Sequence, residues 1–189
     1  MKKDTFGRVS RAGQKLADAN KFFKVNFAGA VVLDLGSSTG GFTEYALERG
    51  AREVIAVEIG TGQMKAPLRF DPRVDLHEKT DLFEFVVEEK PDIIVSDISF
   101  VSMRKVLVKI AKDFAKPKTE VLVMLKPQFE AHKSQLNNGV IKNDKIRREI
   151  IKDFEQYLKN KNWKIVAKHD NVVVGLNGNK ERFYHLRHI

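Results

Sequence analysis

The sequence contains no cysteine, which excludes a disulfide framework, a thiolate metal site and a cysteine nucleophile. It also lacks long hydrophobic runs, since the longest aliphatic runs are about five residues, whereas a membrane-spanning helix needs about 20. The first residues are basic but are not followed by an apolar segment, so they do not have the pattern of a signal peptide. These absences predict a cytoplasmic protein that does not enter a membrane.

The size and composition are those of one globular domain. The chain has 189 residues, of which 42% are hydrophobic and 31% are charged, so it can build a single core. We expect one domain over residues 1–189, with about residues 1–9 flexible. The 34 basic and 25 acidic residues give a net charge of +9, which favours a polyanionic partner, with nucleic acid first and an anionic membrane surface second. A generally lysine-rich composition is the alternative explanation.

Short apolar segments alternate with helical patterns along most of the chain. The segments are bounded by glycine, proline or charge, as buried parallel strands are, and they lie at residues 30–35, 53–58, 74–77, 92–97 and 120–126. The spacing of apolar residues predicts helices at 10–23, 40–49, 64–70, 82–88, 102–115 and about 145–160. A polar loop is predicted at 127–142, and two closing strands, joined by residues 172–180, at 163–169 and 181–187. This alternation predicts an α/β fold with a doubly wound, Rossmann-like sheet, mostly parallel with a C-terminal antiparallel strand pair.

The first predicted strand runs directly into a glycine-rich turn. Asp34 ends the strand, and Gly36, Gly40 and Gly41 follow before the next helix. Glycines allow a sharp turn and a close approach of the backbone to a ligand. The helix that follows offers free N–H groups to a carboxylate or a phosphate. The spacing differs from the dinucleotide pattern G-x-G-x-x-G, which argues against a nicotinamide cofactor.

Polar residues at the ends of the next two strands favour a ligand that contains an adenosine. Glu58 lies 22 residues beyond Gly36, where a carboxylate can accept both ribose hydroxyls of an adenosine. Thr80 and Asp81 follow the third strand and are placed to contact an adenine edge. The alternative is a turn that only packs a helix on a strand. The ligand interpretation is favoured because open α/β sheets bind ligands at the carboxyl ends of neighbouring strands.

Two charged residues end the fourth and fifth predicted strands. Asp97 and Lys126 are expected at the same rim of the sheet, beside the ligand, because adjacent parallel strands end together. A lysine at the end of an apolar strand is costly unless it is paired or functional. Taken alone, a structural ion pair is the better explanation. Lys15 and Glu181, near the two ends of the chain, are by themselves ordinary solvated charges.

Several segments together resemble one family. In order along the chain they are VSRAGQKL, VLDLGSSTGGFTEYALERGA, VIAVEIGTGQM, DPRVDLHEKTD, PDIIVSDISFVS, LKPQFE and GNKERFYHLR. These segments are similar to the TlyA-type (hemolysin-A-like) proteins of the FtsJ-like RNA ribose methyltransferase superfamily, from about Val9 to Arg187. The resemblance implies a class I methyltransferase fold, S-adenosylmethionine as the cofactor, and RNA as the partner. It implies 2′-O-methylation of ribosomal RNA in particular.

The resemblance also implies roles for individual residues, with no metal site among them. The superfamily's catalytic Lys-Asp-Lys-Glu set falls on Lys15, Asp97, Lys126 and Glu181. Cofactor contacts are expected from the turn and the strand ends, at Asp34, Gly36, Ser37, Gly40, Gly41, Phe42, Glu58, Thr80, Asp81 and Asp97. Family members commonly carry an S4-like RNA-binding domain ahead of the Ser-Arg-x-Gly-x-Lys segment. Only nine residues precede Ser10 here, so we expect that domain to be lacking.

The chemistry reduces to aligning and deprotonating a ribose hydroxyl, because the methyl group of a sulfonium is already electrophilic. Our hypothesis is that a neutral Lys126 is the base and that Lys15 positions the ribose or a phosphate. Asp97 and Glu181 would orient the two lysines.

Other residues are candidates for binding RNA. Phe100 and Phe129 follow the strand ends and are candidates for stacking on a base, with core packing as the alternative. Candidate phosphate contacts, each of which taken alone is more often a solvated charge, are Arg8, Arg11, Lys65, Arg69, Arg104, Lys105, Lys133 and Lys142.

Three other functions stay open at this point. The segment Asp97-Ile98-Ser99-Phe100 faintly resembles the Asp-Pro-Pro-Phe/Tyr loop of base N-methyltransferases, although both prolines are missing. The hemolysin name of the family implies a membrane-lysing protein, which the lack of a spanning segment disfavours. A non-catalytic RNA-binding or assembly protein on the same fold is the third alternative.

Overall fold

The structure is a computed structural model that describes residues 10–171 and 178–189. Its strands are β1 (Val31–Leu35), β2 (Glu53–Val57), β3 (Val74–His77), β4 (Ile93–Ser96), β5 (Glu120–Leu125), β6 (Trp163–Asp170) and β7 (Arg182–His188). Its α-helices are α1 (Arg11–Phe23), α2 (Gly41–Glu48), α3 (Ala66–Arg69), α4 (Met103–Lys109) and α5 (Asp144–Asn160). The predictions for residues 1–9 and for most of the final connection fall outside the described residues.

The seven strands form one sheet in the order β3-β2-β1-β4-β5-β7-β6. The first five strands are parallel, and β7 runs antiparallel to both β5 and β6. This confirms the predicted doubly wound sheet with a C-terminal antiparallel pair. The strand order reverses between β1 and β4, and open α/β sheets bind ligands at the carboxyl edge of such a reversal.

Both faces of the sheet are covered, which explains why the central strands are apolar throughout. Side chains alternate along a strand, so Val32 faces the core formed with α1, α2 and α3, whereas Leu33 faces the core formed with α4 and α5. All five residues of β1 are buried.

Helix α1 is fixed against α2 by two glycines. Ser10 caps α1, accepting a hydrogen bond from the Gly13 amide at 3.4 Å. A Cβ on Gly41 would lie 2.0 Å from Ser10 Oγ, and a Cβ on Gly13 would lie 2.7 Å from the Gly41 carbonyl oxygen. Glycine at both positions therefore allows the two helices to touch, and this contact brings α1 beside the glycine-rich turn.

The helix predicted over 82–88 is wrong. The Asp81 side chain accepts a hydrogen bond from the Phe83 amide at 2.9 Å, and the Asp81 carbonyl accepts hydrogen bonds from the amides of Glu84 and Phe85. The chain makes only this one turn. Leu82 and Val87 are buried while Phe83 and Val86 are exposed. The apolar residues of this segment therefore do not form a helical stripe.

Smaller departures occur near the fourth and last strands. The helix predicted over 102–115 ends in a π-helical turn, Ile110–Phe114, and the polar loop contains two short 3₁₀ turns, Pro127–Phe129 and Lys133–Gln135. Glu181 was expected to begin the last strand, but β7 begins at Arg182 and Glu181 lies just before it.

Candidate active site

Two adjoining cavities open at the carboxyl edge of the sheet. The cavity beside the ends of β2 and β3, here called the β2 cavity, has a volume of about 510 Å³. The cavity between α1 and the end of β5, here called the β5 cavity, has a volume of about 610 Å³. They share the lining residues Gly36, Ser38, Asp97, Ser99 and Phe100, so the two cavities form one continuous cleft.

The glycine-rich turn forms the wall between the two cavities. Gly36 and Gly40 have φ values of +80° and +91°, a conformation that favours glycine. A Cβ on Gly36 would lie 2.7 Å from Ile98 Cδ1. The amides of Gly36 and Ser37 donate to the Val57 carbonyl at 2.9 and 3.2 Å. The turn is therefore held against the end of β2, with its backbone close to the cleft.

Glu58 is buried, and the backbone fixes its carboxylate. Its Oε2 accepts from the Ser38 amide at 2.9 Å, and its Oε1 accepts from the Gly60 amide at 2.7 Å. A carboxylate oxygen can accept more than one hydrogen bond, so these contacts leave capacity for a ligand. The structure brings Glu58, Thr80 and Asp81 together on the β2 cavity, whose apolar walls include Ile59, Leu82, Phe83, Ile98 and Val101.

Asp34 borders the β5 cavity as a fully buried carboxyl group. Its Oδ2 accepts from Thr43 Oγ1 at 2.7 Å, whereas its Oδ1 has no hydrogen-bond partner among the described residues. Burial raises the pKa of Asp34 to about 7, against the opposing effect of the Thr43 hydrogen bond. The Ser37 hydroxyl, also buried and bordering this cavity, likewise lacks a partner in the described part of the chain.

Two of the expected cofactor contacts have an additional role in packing. Phe42 is 2% exposed, and its ring lies 5.8 Å from that of Phe183 in the core. Gly41 leaves room for α1, as described above. Both residues border the β5 cavity, but the side chain of Phe42 belongs mainly to the core.

Lys126 and Asp97 form an ion pair at the ends of β5 and β4. Lys126 Nζ lies 2.7 Å from Asp97 Oδ1 and donates to Ser99 Oγ at 2.6 Å. The two side chains are 10% and 18% exposed. Burial raises the pKa of Asp97, and the neighbouring Lys126 ammonium opposes this rise. The side chains at the ends of β4 and β5 therefore lie together, as the sequence predicted.

Lys15 and Glu181 form a second ion pair, with side chains only 10% and 5% exposed. Glu181 reaches the site because β7 pairs antiparallel with β5, so that Arg182 at the start of β7 lies opposite Leu125 at the end of β5. Lys15 reaches it from α1. All four residues expected to be catalytic line the β5 cavity.

Two contributors to the site carried no clear signal in the sequence. Ser99 accepts a hydrogen bond from Lys126. The Glu130 side chain is 3% exposed, and it accepts hydrogen bonds from Ser102 Oγ at 2.7 Å and from the Met103 amide at 2.6 Å. Glu130 thus ties the segment after β5 to the start of α4.

An aromatic pair stands at the mouth of the cleft. Phe100 is 89% exposed and has a φ of +66°, and its ring centroid lies 5.1 Å from that of Phe129. Both rings line the β5 cavity. Core packing, the alternative given for Phe100 from the sequence, is therefore excluded by its exposure.

The candidate phosphate-binding residues are placed unequally. The Arg69 guanidinium pairs with the Glu78 carboxylate, and the Arg104 guanidinium pairs with the carboxylate of Asp153 at 2.7 Å. Arg11 lines the β5 cavity, and Lys142 lines a smaller neighbouring cavity. Arg8 falls outside the described residues.

The described residues include no helix that is both long enough and apolar enough to cross a membrane.

Comparisons with known proteins agree with this geometry. The sequence pattern of the FtsJ-like methyltransferase family matches residues 8–188. The chain is 36% identical over 183 residues to the 16S/23S rRNA (cytidine-2′-O)-methyltransferase TlyA of Mycobacterium tuberculosis, covering 95% of this chain and 68% of that protein. It is 35% identical to Hemolysin A of Brachyspira hyodysenteriae, covering 94% of this chain and 75% of that protein.

Solved structures lead to the same group. A crystal structure of a hemolysin-designated protein from Lactococcus lactis superposes with a TM-score of 0.91 and 32% identity, covering 96% of this chain and 89% of that one. A ribosomal protein L11 methylase from Lactobacillus delbrueckii shares the fold at 18% identity, with a TM-score of 0.61, covering 95% of this chain and 79% of that one. The chain therefore belongs to the FtsJ-like methyltransferase family.

Proposed function

We propose that this protein transfers the methyl group of S-adenosylmethionine to the 2′-hydroxyl of a ribose in RNA, and in ribosomal RNA in particular. One observation carries the proposal: two nearly buried Lys–carboxylate pairs line the β5 cavity, and this cavity continues into the β2 cavity. The curated relatives named as ribosomal RNA 2′-O-methyltransferases support ribosomal RNA as the substrate.

The cleft fits the cofactor at both of its ends. The Asp34 carboxyl, buried with one oxygen unpartnered among the described residues, suits the ammonium group of the methionine part. Because Gly36 has no side chain, its backbone packs directly against Ile98, where a Cβ would collide, and the wall between the cavities is thin. Glu58 would accept the ribose hydroxyls, and Asp81 would contact the adenine edge. When bound, S-adenosylmethionine would supply the methyl group, and its sulfur would remain as a neutral thioether.

Lys126 is proposed as the base. In its neutral form, Nζ accepts the proton of the 2′-hydroxyl while the oxygen bonds to the methyl carbon. The Asp97 carboxylate, 2.7 Å from Nζ, stabilises the ammonium that this proton transfer produces. Ser99 Oγ, 2.6 Å from Nζ, fixes the direction of the amine. The side chain is 10% exposed, so bulk water competes little for its lone pair.

Lys15 and Glu181 are proposed to position the substrate. Glu181 holds the Lys15 ammonium at the wall of the β5 cavity. From there the ammonium can contact the ribose or its phosphate. At the mouth, the exposed ring of Phe100, beside the half-buried ring of Phe129, offers a surface on which the attached base can stack.

The test is transfer of labelled methyl from S-adenosylmethionine to isolated 16S and 23S rRNA and to ribosomal subunits. Complete nuclease digestion of the product, followed by mass spectrometry, then locates the methyl group on a nucleoside. We expect it on a ribose O2′. A methyl group on a base would contradict the proposal in favour of N-methylation. Calorimetric binding of S-adenosylmethionine without transfer to any of these RNAs would favour a non-catalytic RNA-binding role.

A further inference from the structure

A third cavity, of about 260 Å³, lies beside the proposed active site and is bordered by basic residues. Its lining includes Pro127, Lys142, Arg147, Asn179 and Lys180. We call this surface the α5 rim, because α5 begins at its edge. It adjoins the β5 cavity directly: Asn179 lines both cavities, Pro127 follows Lys126 in the chain, and Lys180 precedes Glu181. A strand whose ribose reaches Lys126 therefore passes close to this rim on one side.

Hydrogen bonds and an ion pair hold the wall of the α5 rim in place. The Asn179 side chain is 7% exposed, and it donates to the Gly139 carbonyl at 3.1 Å and accepts from the Ile141 amide at 3.3 Å. The Arg147 guanidinium, 13% exposed, donates to the Lys180 carbonyl at 3.1 Å and pairs with Asp170 at 2.9 Å. These bonds fix the backbone that carries the two lysines of the rim.

The ammonium groups of these lysines remain accessible to a ligand. Lys142 is exposed and forms no ion pair with any described residue. Lys180 is 57% exposed, and its only ion pair in the described part of the chain is with Asp144, which is 68% exposed, at 3.5 Å. Such an exposed pair is worth little and is readily exchanged for a stronger anion.

The two sides of the cleft differ in charge. Residues 127–148, on the α5 side, contain five basic and two acidic residues, and one of the acids, Glu130, is buried against α4. Residues 58–85, on the β2 side, contain four basic and six acidic residues. The Arg69 and Arg73 guanidiniums of the β2 side are already held by carboxylates. A polyanion is therefore attracted to the α5 side and repelled from the β2 side.

We propose that the RNA strand leaves the cleft over the α5 rim, where Lys142 and Lys180 bind a backbone phosphate next to the reactive nucleotide. This rests on the proposed function, and it adds the side of the cleft on which the strand lies. The rim contributes to RNA affinity and not to cofactor binding, because none of its lining residues is among those proposed to hold the cofactor.

The experiment compares two double variants that lose the same charge. Lys142→Gln/Lys180→Gln removes both rim ammoniums. Lys112→Gln/Lys118→Gln removes two exposed lysines at the opposite edge of the sheet, just before β5. Binding of a fluorescently labelled single-stranded RNA is followed over a series of salt concentrations. Calorimetry with S-adenosylmethionine and methyl transfer to ribosomal RNA are measured in parallel.

We expect the rim variant to raise the KM for RNA about tenfold and to reduce the slope of log affinity against log salt by about 0.7, because it loses one phosphate contact and each such contact on a single strand contributes about 0.7. Its affinity for S-adenosylmethionine and its kcat at saturating RNA should match the wild type, as should all properties of the control variant. If the wild type binds and methylates RNA but the rim and control variants behave alike, the rim inference alone is overturned. If the wild type neither binds nor methylates RNA, the proposed function fails as well.

Discussion

The two cavities of the cleft are held in shape by different kinds of interaction. In the β2 cavity, uncharged backbone amides of Ser38 and Gly60 fix the Glu58 carboxylate. In the β5 cavity, the functional groups are two ion pairs between side chains, Lys126–Asp97 and Lys15–Glu181. The β2 cavity therefore depends on backbone geometry, whereas the β5 cavity depends on the charges of four largely buried side chains.

The cavities also differ in how much of the chain they need. The lining of the β2 cavity comes from residues 36–101, which run from the turn after β1 to the segment after β4. The β5 cavity needs α1, the end of β5 and the residue before β7, so that its Lys15–Glu181 pair joins positions 166 apart. The substrate side of the site is thus complete only when both ends of the domain have packed on the sheet. This difference predicts that the two cavities can be damaged separately.

The largest effect is expected from Lys126→Ala. Loss of a general base costs roughly 10²–10⁴-fold in rate, so methyl transfer to RNA should fall by that factor. Binding of S-adenosylmethionine should stay near the wild-type value, because Lys126 is not among the residues proposed to hold the cofactor. Single-turnover transfer and calorimetry measure the two quantities separately.

Lys118→Ala is the matched control, because it removes the same charge from an exposed site before β5. It should behave as the wild type in both assays. Near-normal transfer by Lys126→Ala, on an RNA that the wild type methylates, would contradict the assignment of the base. An equal loss of cofactor affinity would contradict the separation of the two cavities.

The same difference explains which parts of the site could be predicted from the sequence. Glu58, Thr80 and Asp81 follow successive parallel strands, and such strands end at one edge of the sheet, so the spacing alone was enough to bring them together. The same reasoning paired Asp97 with Lys126. Lys15 and Glu181 join the site through helix docking and antiparallel pairing, which leave no local pattern. Only the family resemblance pointed to these two residues.

The wrong and incomplete predictions have physical causes as well. Segment 82–88 has apolar residues at roughly helical spacing, but they divide between the core and the surface, and only one turn forms, capped at its start by the Asp81 side chain. Gly41 was assigned to the cofactor, although its contact with α1 already requires glycine. A sequence pattern does not separate a glycine needed for a ligand from one needed for a neighbouring helix.

A smaller but still large effect is expected on stability from Glu181→Gln. The change leaves the Lys15 ammonium, only 10% exposed, without its counter-charge. Removing one partner of a buried ion pair costs about 3 kcal/mol, so the free energy of unfolding in urea should fall by about that amount. The double variant Lys15→Met/Glu181→Gln should recover most of the loss. A single variant within about 0.5 kcal/mol of the wild type would mean that this pair behaves as an exposed one.

The next effect, on cofactor affinity, is expected from Glu58→Gln. The amide cannot accept from two backbone N–H groups and two ribose hydroxyls, and a hydrogen bond to a charged group contributes about 1.5–3 kcal/mol. The Kd for S-adenosylmethionine should therefore rise by roughly 10- to 100-fold, while RNA affinity stays constant. Glu84→Gln, an exposed acid on the same side of the cleft, is the control. A lower rate at saturating cofactor without a change in Kd would show that Glu58 acts on the substrate side instead.

The last effect is expected from Asp34→Asn, and it is a dependence of stability on pH rather than a loss at one pH. The pKa of Asp34 is raised to about 7 by burial, against about 3.9 in an unfolded chain. Between these values the folded protein holds a proton that the unfolded chain has released, so the wild type loses stability as the pH rises from about 4 to 7, by at most about 1.4 kcal/mol per pH unit. Above pH 7 this contribution is constant.

Asparagine does not titrate but can still accept the hydrogen bond from Thr43, so the variant should gain stability relative to the wild type across that window. Urea unfolding of both proteins below, within and above the window measures the difference, which includes the change in Asp97 titration, because the Asp34 and Asp97 carboxylates repel each other. If the two curves run parallel from about pH 4 to 7, the Asp34 carboxyl is ionised in the folded protein throughout. The β5 cavity would then hold a permanent negative charge for the cofactor's ammonium group, and both cavities would be insensitive to pH in this range.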